Sequence, residues 1–219
     1  MAISKYIIGL DEVGRGPLAG PVTVAAVALP YNFKFHPSSD GINFKLPLRD
    51  SKKLTANQRE RWAKYIKIQP RIFHAVASVY PKIIDRINIS QAANLAATRA
   101  AERLLVKCKI RHSSRQYILL DGGLFLNKSL LFACRNKLIA RTIVRGDEKF
   151  NSIKLASIIA KVSRDRLLKR YHKKYPQYGF DEHKGYGTMA HLIAIKRYGP
   201  SAIHRLTFCS KFIKMKLKD

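Results

Sequence analysis

Short apolar runs dominate the first half of this chain, and long stripes with helical spacing dominate the second. Residues 6–10 are apolar and stop at Asp11; residues 22–29 form a second run, rich in Val and Ala. Gly14, Gly16, Pro17, Gly20 and Pro21 lie between them, so the two read as neighbouring strands joined by a tight turn. Residues 31–48 carry Pro, Ser, Asp, Gly and Asn and read as an exposed loop. Thr55-Ala56-Asn57-Gln58 has the capping-box pattern and opens a helix. Further strands are predicted at 73–80, 116–120 and 139–144, and an Ala- and Leu-rich helix at 92–106. The clearest helix is 153–175, where Leu155, Ile158, Ile159 and Val162 recur at i, i+3, i+4 and i+7. Ser157, Lys161, Arg164 and Asp165 fall on a different face of it. Asp165, four residues after Lys161, suits an ion pair along the helix. A last helix is expected at 188–198, followed by a basic tail through Lys218. Neither a repeat nor a low-complexity linker interrupts the chain. The pattern predicts one mixed α/β domain over residues 1–219, with the helical segment from about 188 onward packed on it.

Charge changes the picture. Lys and Arg number 42 against 14 Asp and Glu, a formal net charge of +28. A field of that size repels itself in the compact state and points to a polyanionic partner. Nucleic acid is the first candidate, because each phosphate neutralised by Lys or Arg releases counterions. An anionic membrane is the rival, but the apolar runs fall well short of the roughly 20 residues of a span. Asp11 and Glu12 also interrupt the run that a signal peptide would need. Three cysteines without metal-ligand spacing suit reduced thiols, hence a cytoplasmic location.

In a chain so poor in acids, their placement carries information. Asp11 closes one apolar run and Asp121 closes another. A carboxylate at the end of a buried strand is costly unless something cationic compensates, and open α/β sheets place their sites at such ends. Glu12 follows Asp11, and successive strand side chains point to opposite faces. Both acids therefore approach one site only if the strand stops there and the glycine turn begins. Converging carboxylates suit hard divalent cations with oxygen ligands, and two such ions serve phosphodiester hydrolysis. In Gly14-Arg15-Gly16 the glycines let a backbone come close to a ligand, and Arg15 adds a fork of donors for phosphate or sugar oxygens. Tyr186, between Gly185 and Gly187 and beside His183 and Lys184, reads as an exposed aromatic suited to stacking. Lys52 and Lys53 are candidate phosphate contacts. Two other readings compete: a metal-independent ribonuclease using a histidine pair, and a basic nucleic-acid-binding protein without catalysis. No histidine pair sits in a recognisable motif, and a protein that only binds has no need for acids at the ends of apolar strands beside a glycine turn.

Asp11-Glu12-Val13-Gly14-Arg15-Gly16-Pro17-Leu18-Ala19-Gly20-Pro21-Val22 strongly resembles the corresponding motif of bacterial ribonuclease HII. Further matches follow in order: Asp50-Ser51-Lys52-Lys53-Leu54-Thr55, Leu120-Asp121-Gly122, Gly146-Asp147, the run from Ala156 to Asp165, and His183-Lys184-Gly185-Tyr186. The resemblance implies an α/β ribonuclease H-like fold, a mixed five-stranded sheet flanked by helices. It implies an endoribonuclease that hydrolyses the RNA strand of RNA–DNA hybrids and cuts 5′ of single ribonucleotides in duplex DNA. Such an enzyme removes RNA primers and misincorporated ribonucleotides, and is expected as a monomer. Asp11, Glu12, Asp121 and Asp147 would be both the catalytic groups and the ligands of two Mg²⁺ or Mn²⁺ ions, with Glu148 a possible substitute for Asp147. Gly14, Arg15 and Gly16 would read the ribose 2′-hydroxyl. Tyr186 would stack on the neighbouring deoxyribose, and Lys52, Lys53 and Lys184 would hold the substrate. The chain departs from the family pattern at Arg145 (Lys in the family), Gly187 (Pro), Lys154-Leu155 (an Ala-rich lead) and Thr207 (Ser). It also departs in a longer interval between Asp121 and Asp147, which falls in the loop 122–137.

Overall fold

The computed structural model describes residues 6–35, 46–108, 116–127 and 138–214. Five strands, β1 (Tyr6–Val13), β2 (Val22–Pro30), β3 (Phe73–Val79), β4 (Gln116–Asp121) and β5 (Leu138–Ile143), form one sheet in the order β3-β2-β1-β4-β5. β1, β2 and β3 pair antiparallel, whereas β4 and β5 run parallel to β1. Helices are α1 (Ala56–Ile68), α2 (Pro81–Ile87), α3 (Ile89–Lys107), α4 (Gly146–Lys149), α5 (Asn151–Lys174), α6 (Phe180–His183), α7 (Met189–Tyr198) and α8 (Leu206–Lys214). Short 3-10 turns at Ser51–Lys53 and Pro176–Tyr178 complete the described residues. The mixed five-stranded sheet with flanking helices is the one expected.

Every residue of β2 is buried, which explains its unbroken apolar run: helices cover both faces of the sheet there. On one face Ile8, Leu10, Val24, Ala26 and Leu120 pack on the alanines of α3. On the other, Ala25 and Val27 meet Trp62 and Ile66 of α1 and the Leu155, Ile158, Ile159 stripe of α5. A third cluster joins Leu18 and Ala19 of the β1–β2 loop to Leu168, Phe180, Ile195 and Cys209, so the C-terminal helices rest on that loop. The capping box at Thr55 is formed in both directions. Among the described residues no helix is long and apolar enough to cross a membrane.

Three expectations need correction. β1 does not stop at Leu10: its ladder continues through Asp11↔Ala25, Glu12↔Val24 and Val13↔Thr23, because β2 supplies backbone partners whatever the side chains are. Arg164, expected on a different face from the core-facing stripe together with Lys161 and Asp165, is fully buried, whereas those two are half-buried. The strand expected at 73–80 ends at Val79, and α2 starts at Pro81, a residue suited to a helix's first turn. Asn88 (φ 66°) then breaks the chain, and its side chain caps α3 by accepting from Gln91 N–H. Residues 36–45 of the expected loop, 128–137 of the loop after Asp121, and 215–219 of the basic tail lie outside the described residues.

Gly9 sets how close α5 comes to β1. A Cβ there would lie 2.4 Å from Ile153 N, a backbone atom that cannot turn aside. Gly9→Ala is expected to cost ~1–3 kcal/mol or more, read as a lower urea midpoint at unchanged m. The same shift would lift α5 away from Asp11.

Candidate active site

The parallel pairing of β1 and β4, with Leu10 opposite Leu120, brings Asp11 and Asp121 side by side at the carboxyl ends of neighbouring strands. β5 lies beyond β4, and after it Arg145 adopts a left-handed conformation (φ 53°) that swings the chain into α4. That turn buries Asp147 and leaves Glu148 exposed. One carboxylate oxygen from each of Asp11, Asp121 and Asp147 lies within 4.8 Å of the other two. Asp121 Oδ1 accepts from Gly146 N–H at 2.7 Å, and Asp11 Oδ1 from Glu12 N–H at 2.7 Å. The side chain of Ser157 on α5 hydrogen-bonds Asp11, and Ser157 Oγ lies 2.7 Å from Ser51 Oγ. Burial, then the charges of Glu12 and Asp121, push the Asp11 carboxyl well above its ordinary range. Burial also raises Asp147, assisted by Asp121 and Asp50 and opposed by Lys52. In a protein of formal charge +28, these carboxyls are raised because they crowd one another out of water, the setting a hard cation with oxygen ligands relieves.

Glu12 stands apart from the three. Because β1 runs on to Val13, strand alternation turns Glu12 to the side of Leu10 and away from Asp11. It still lines the same cleft of about 370 Å³, with Asp11, Asp121 and Asp147. Its Oε1 lies 3.4 Å from Arg15 Nη1, while its Oε2 is buried with no hydrogen-bond partner among the described residues. Burial raises this carboxyl too, with Arg15 opposing. A buried carboxylate oxygen left without a donor, beside three crowded aspartates, fits a donor set for divalent ions.

Two buried guanidiniums shape the loop after β1. Arg164 donates from Nε to Pro21 O, from Nη2 to Ala19 O and from Nη1 to Lys184 O, each at 3.0 Å. Arg205 donates to Gly20 O at 2.9 Å, Arg15 O at 2.8 Å and Gly14 O at 2.5 Å. Burial lowers both, Arg205 to about 9. Gly14 (φ +89°) has no room for a side chain, since a Cβ would lie 2.3 Å from Arg164 Nε. Leu18 N–H donates to Gly185 O at 2.8 Å, tying this loop to the one bearing Tyr186. A Cβ on Gly16 would lie 3.9 Å from Tyr186 Cε1, so the ring borders the glycine turn at the cleft. Tyr186 is 44% exposed.

The lysines are distributed unevenly. Lys52 lines the cleft with its Nζ 4.0 Å from Asp147 Oδ2. Lys53 is exposed on the same 3-10 turn. Lys184 folds its amine back onto the Asp181 and Glu182 carbonyls. Arg59 and Lys161 also line the cleft, and Lys161 pairs with Asp165 at 2.9 Å as its spacing implied. Sequence reading gave no role to Arg205, to Ser51 or to Ser90 (a 3.2 Å partner of Arg15 Nη2), and did not foresee the burial of Arg164. For Arg164 a signal existed: its i±4 neighbours are Ala160 and Leu168, both apolar. Arg205 stands in His204-Arg205-Leu206-Thr207-Phe208, the family motif in which Thr207 replaces Ser, but its neighbours in sequence do not mark it as buried.

The ribonuclease HII family profile matches residues 8–211. Ribonuclease HII of Chlorobaculum parvum is 46% identical over 202 residues, covering 92% of this chain and 88% of the relative. That of Caldicellulosiruptor bescii is 41% identical over 211 residues, covering 96% and 90%. The crystal structure of ribonuclease H2 from Pyrococcus horikoshii superposes with a TM-score of 0.66 at 27% identity, covering 98% of this chain and 100% of that one. With the acidic cleft, the glycine turn and this likeness along nearly its whole length, the chain belongs to the ribonuclease HII family, the type 2 ribonucleases H.

Proposed function

We propose that this ribonuclease H hydrolyses the RNA strand of RNA–DNA hybrids and also cuts 5′ of a single ribonucleotide embedded in duplex DNA. The observation that carries the reading is the convergence of the buried Asp11 and Asp147 with the half-buried Asp121, one oxygen of each within 4.8 Å of the others. Those three, with Glu12 at the edge of the cleft, would hold two Mg²⁺ or Mn²⁺ ions. Bound there, such ions supply a polarised attacking water and charge neutralisation at the departing 3′ oxygen. The reaction adds water to phosphorus and breaks the P–O3′ bond, leaving 5′-phosphate and 3′-hydroxyl ends.

The chain's own residues do the rest. Gly14 and Gly16, without side chains, let the main chain reach the minor groove, where the 2′-hydroxyl distinguishes ribose from deoxyribose. Arg15 is held by Glu12 and Ser90 at the same turn. Tyr186, beside that turn, offers a flat surface to the adjoining deoxyribose. Lys52 and Lys53 approach the backbone phosphates from the 3-10 turn, Lys184 from the loop that bears Tyr186, and the basic surface steers the duplex in.

The test is a DNA duplex with one ribonucleotide, incubated with Mg²⁺ or Mn²⁺ and in parallel with EDTA. One cut 5′ of the ribonucleotide is expected with either metal, none with chelator, and none on an all-DNA duplex. Equal cutting of all-DNA duplex removes the sugar-reading role of Gly14–Gly16. Cleavage that survives EDTA and leaves a cyclic phosphate supports the histidine-pair ribonuclease instead.

A further inference from the structure

Behind the loop that carries Tyr186 lie three histidines that the cleavage reading leaves unused. Backbone amides fix which nitrogen holds the proton in two of the rings, and one of those two fixes the third. Gly185 N–H donates to His183 Nδ1 at 3.1 Å, and Ser201 N–H donates to His204 Nδ1 at 2.9 Å. A ring nitrogen that accepts carries no proton, so each of these two rings bears its proton on Nε2. His183 Nε2–H then donates to Tyr178 O at 2.6 Å, and His204 Nε2–H to His191 Nε2 at 3.0 Å. His191 is thereby forced into the opposite tautomer, and its Nδ1–H donates to Tyr186 O at 2.8 Å. The chain runs one way, from the Ser201 amide to the Tyr186 carbonyl.

His191 and His204 are both buried, and burial holds each down at about 4, so both rings stay neutral near neutral pH. The segment they hold is strained: Lys184 (φ 52°) and Gly185 (φ +84°) are successive left-handed residues. A non-glycine residue there costs on the order of 1 kcal/mol and persists only where its surroundings over-determine it. Thr188 N–H, at 2.9 Å, is the second donor to the same Tyr186 carbonyl.

We propose that His204 and His191 are positioning residues for Tyr186, fixing the height of its ring beside the glycine turn and so the choice of sugar at the cut site. This rests on the reading of Tyr186 as the surface for the neighbouring deoxyribose. A pair that served stability alone would affect every substrate alike. A pair that places Tyr186 matters most where that deoxyribose is the determinant, on the single embedded ribonucleotide.

The test compares His191→Phe, His191→Asn, Tyr186→Ala and the Tyr186→Ala/His191→Phe double variant. Each is assayed on a duplex with one ribonucleotide and on a continuous RNA–DNA hybrid. His191→Phe is expected to lower kcat/KM about tenfold on the embedded ribonucleotide, with a much smaller loss on the hybrid, and to add nothing once Tyr186 is Ala. His191→Asn, which keeps an N–H toward Tyr186 O, is expected to recover most of the loss. Equal losses on both substrates, or a loss that persists without Tyr186, overturn the proposal. If Tyr186→Ala alone leaves the ratio of the two substrates unchanged, the reading of Tyr186 itself fails, and the positioning role with it. Should His191→Phe not fold, ¹⁵N-histidine spectra of the unaltered protein decide the matter. They are expected to show one buried ring protonated on Nδ1 and its partner on Nε2. Two rings of the same tautomer, or a charged one at neutral pH, overturn the chain.

Discussion

Asp11→Asn is expected to abolish cleavage while making the metal-free protein more stable. Removing a carboxylate that would hold the divalent ions forfeits several kcal/mol of charge stabilisation in the transition state, ~10³-fold or more in rate. The stability change has the opposite sign, because burial, Glu12 and Asp121 all disfavour the charged form of Asp11 in the folded chain. Its folded pKa stands above its unfolded one, so between the two values the folded state binds more protons, and stability falls as pH rises through that window. Above its folded pKa the wild type bears the whole penalty and the Asn variant none of it. The variant's advantage should therefore vanish in acid and grow as pH rises above the ordinary aspartate range. His74, His191 and His204, lowered to about 4 by burial, act in the other direction between about 4 and 6.5. They are common to both proteins and cancel in the difference. Thermal midpoints of both, measured against pH with and without Mg²⁺, check this. Mg²⁺ should raise the midpoint of the wild type clearly and that of the variant less. A variant that still cuts, or that is no more stable without metal, removes Asp11 from the metal site.

The parts of this site that could be read from the sequence are those set by local chemistry. Asp121 ends a buried apolar strand in a chain with few acids, and that alone marks it. Helix α5 is announced by Leu155, Ile158, Ile159 and Val162, and α1 by its capping box. Tyr186 between two glycines had nothing to bury it, and it is exposed. What the sequence withheld depends on partners far along the chain. Whether β1 ends at Leu10 or at Val13 is decided by Val24 and Thr23 across the ladder, and that decision turns Glu12 away from Asp11. Ser51 and Ser157, which meet behind Asp11, are 106 residues apart. A guanidinium is buried only where enough carbonyls converge on it, and those that receive Arg164 belong to Ala19, Pro21 and Lys184. No window of sequence contains that arrangement.

Arg164→Met is the change for which the largest combined loss of stability and substrate selection is expected. The side chain is of similar length and apolar, so the cavity stays filled, but three main-chain carbonyls lose their donor inside the protein. Each buried acceptor left unsatisfied costs ~1–3 kcal/mol, so a total of roughly 3 kcal/mol or more is expected in the urea midpoint. Arg164→Lys should recover little, because one ammonium on a flexible stem cannot span carbonyls that a planar fork reaches together. The functional loss follows from what the guanidinium joins. Its Nη2 and Nε hold the β1–β2 loop at Ala19 and Pro21, and its Nη1 holds the Tyr186 loop at Lys184. Without it the glycine turn and Tyr186 lose a shared anchor, while Asp11, Asp121 and Asp147 keep the strands and the short helix that bring them together. The Mg²⁺-induced rise in melting temperature should therefore persist in Arg164→Met, while kcat/KM on the embedded ribonucleotide falls at least tenfold, a loss of about 1.4 kcal/mol or more. Loss of the metal response together with cleavage would place Arg164 in support of the acidic cluster rather than of the two loops.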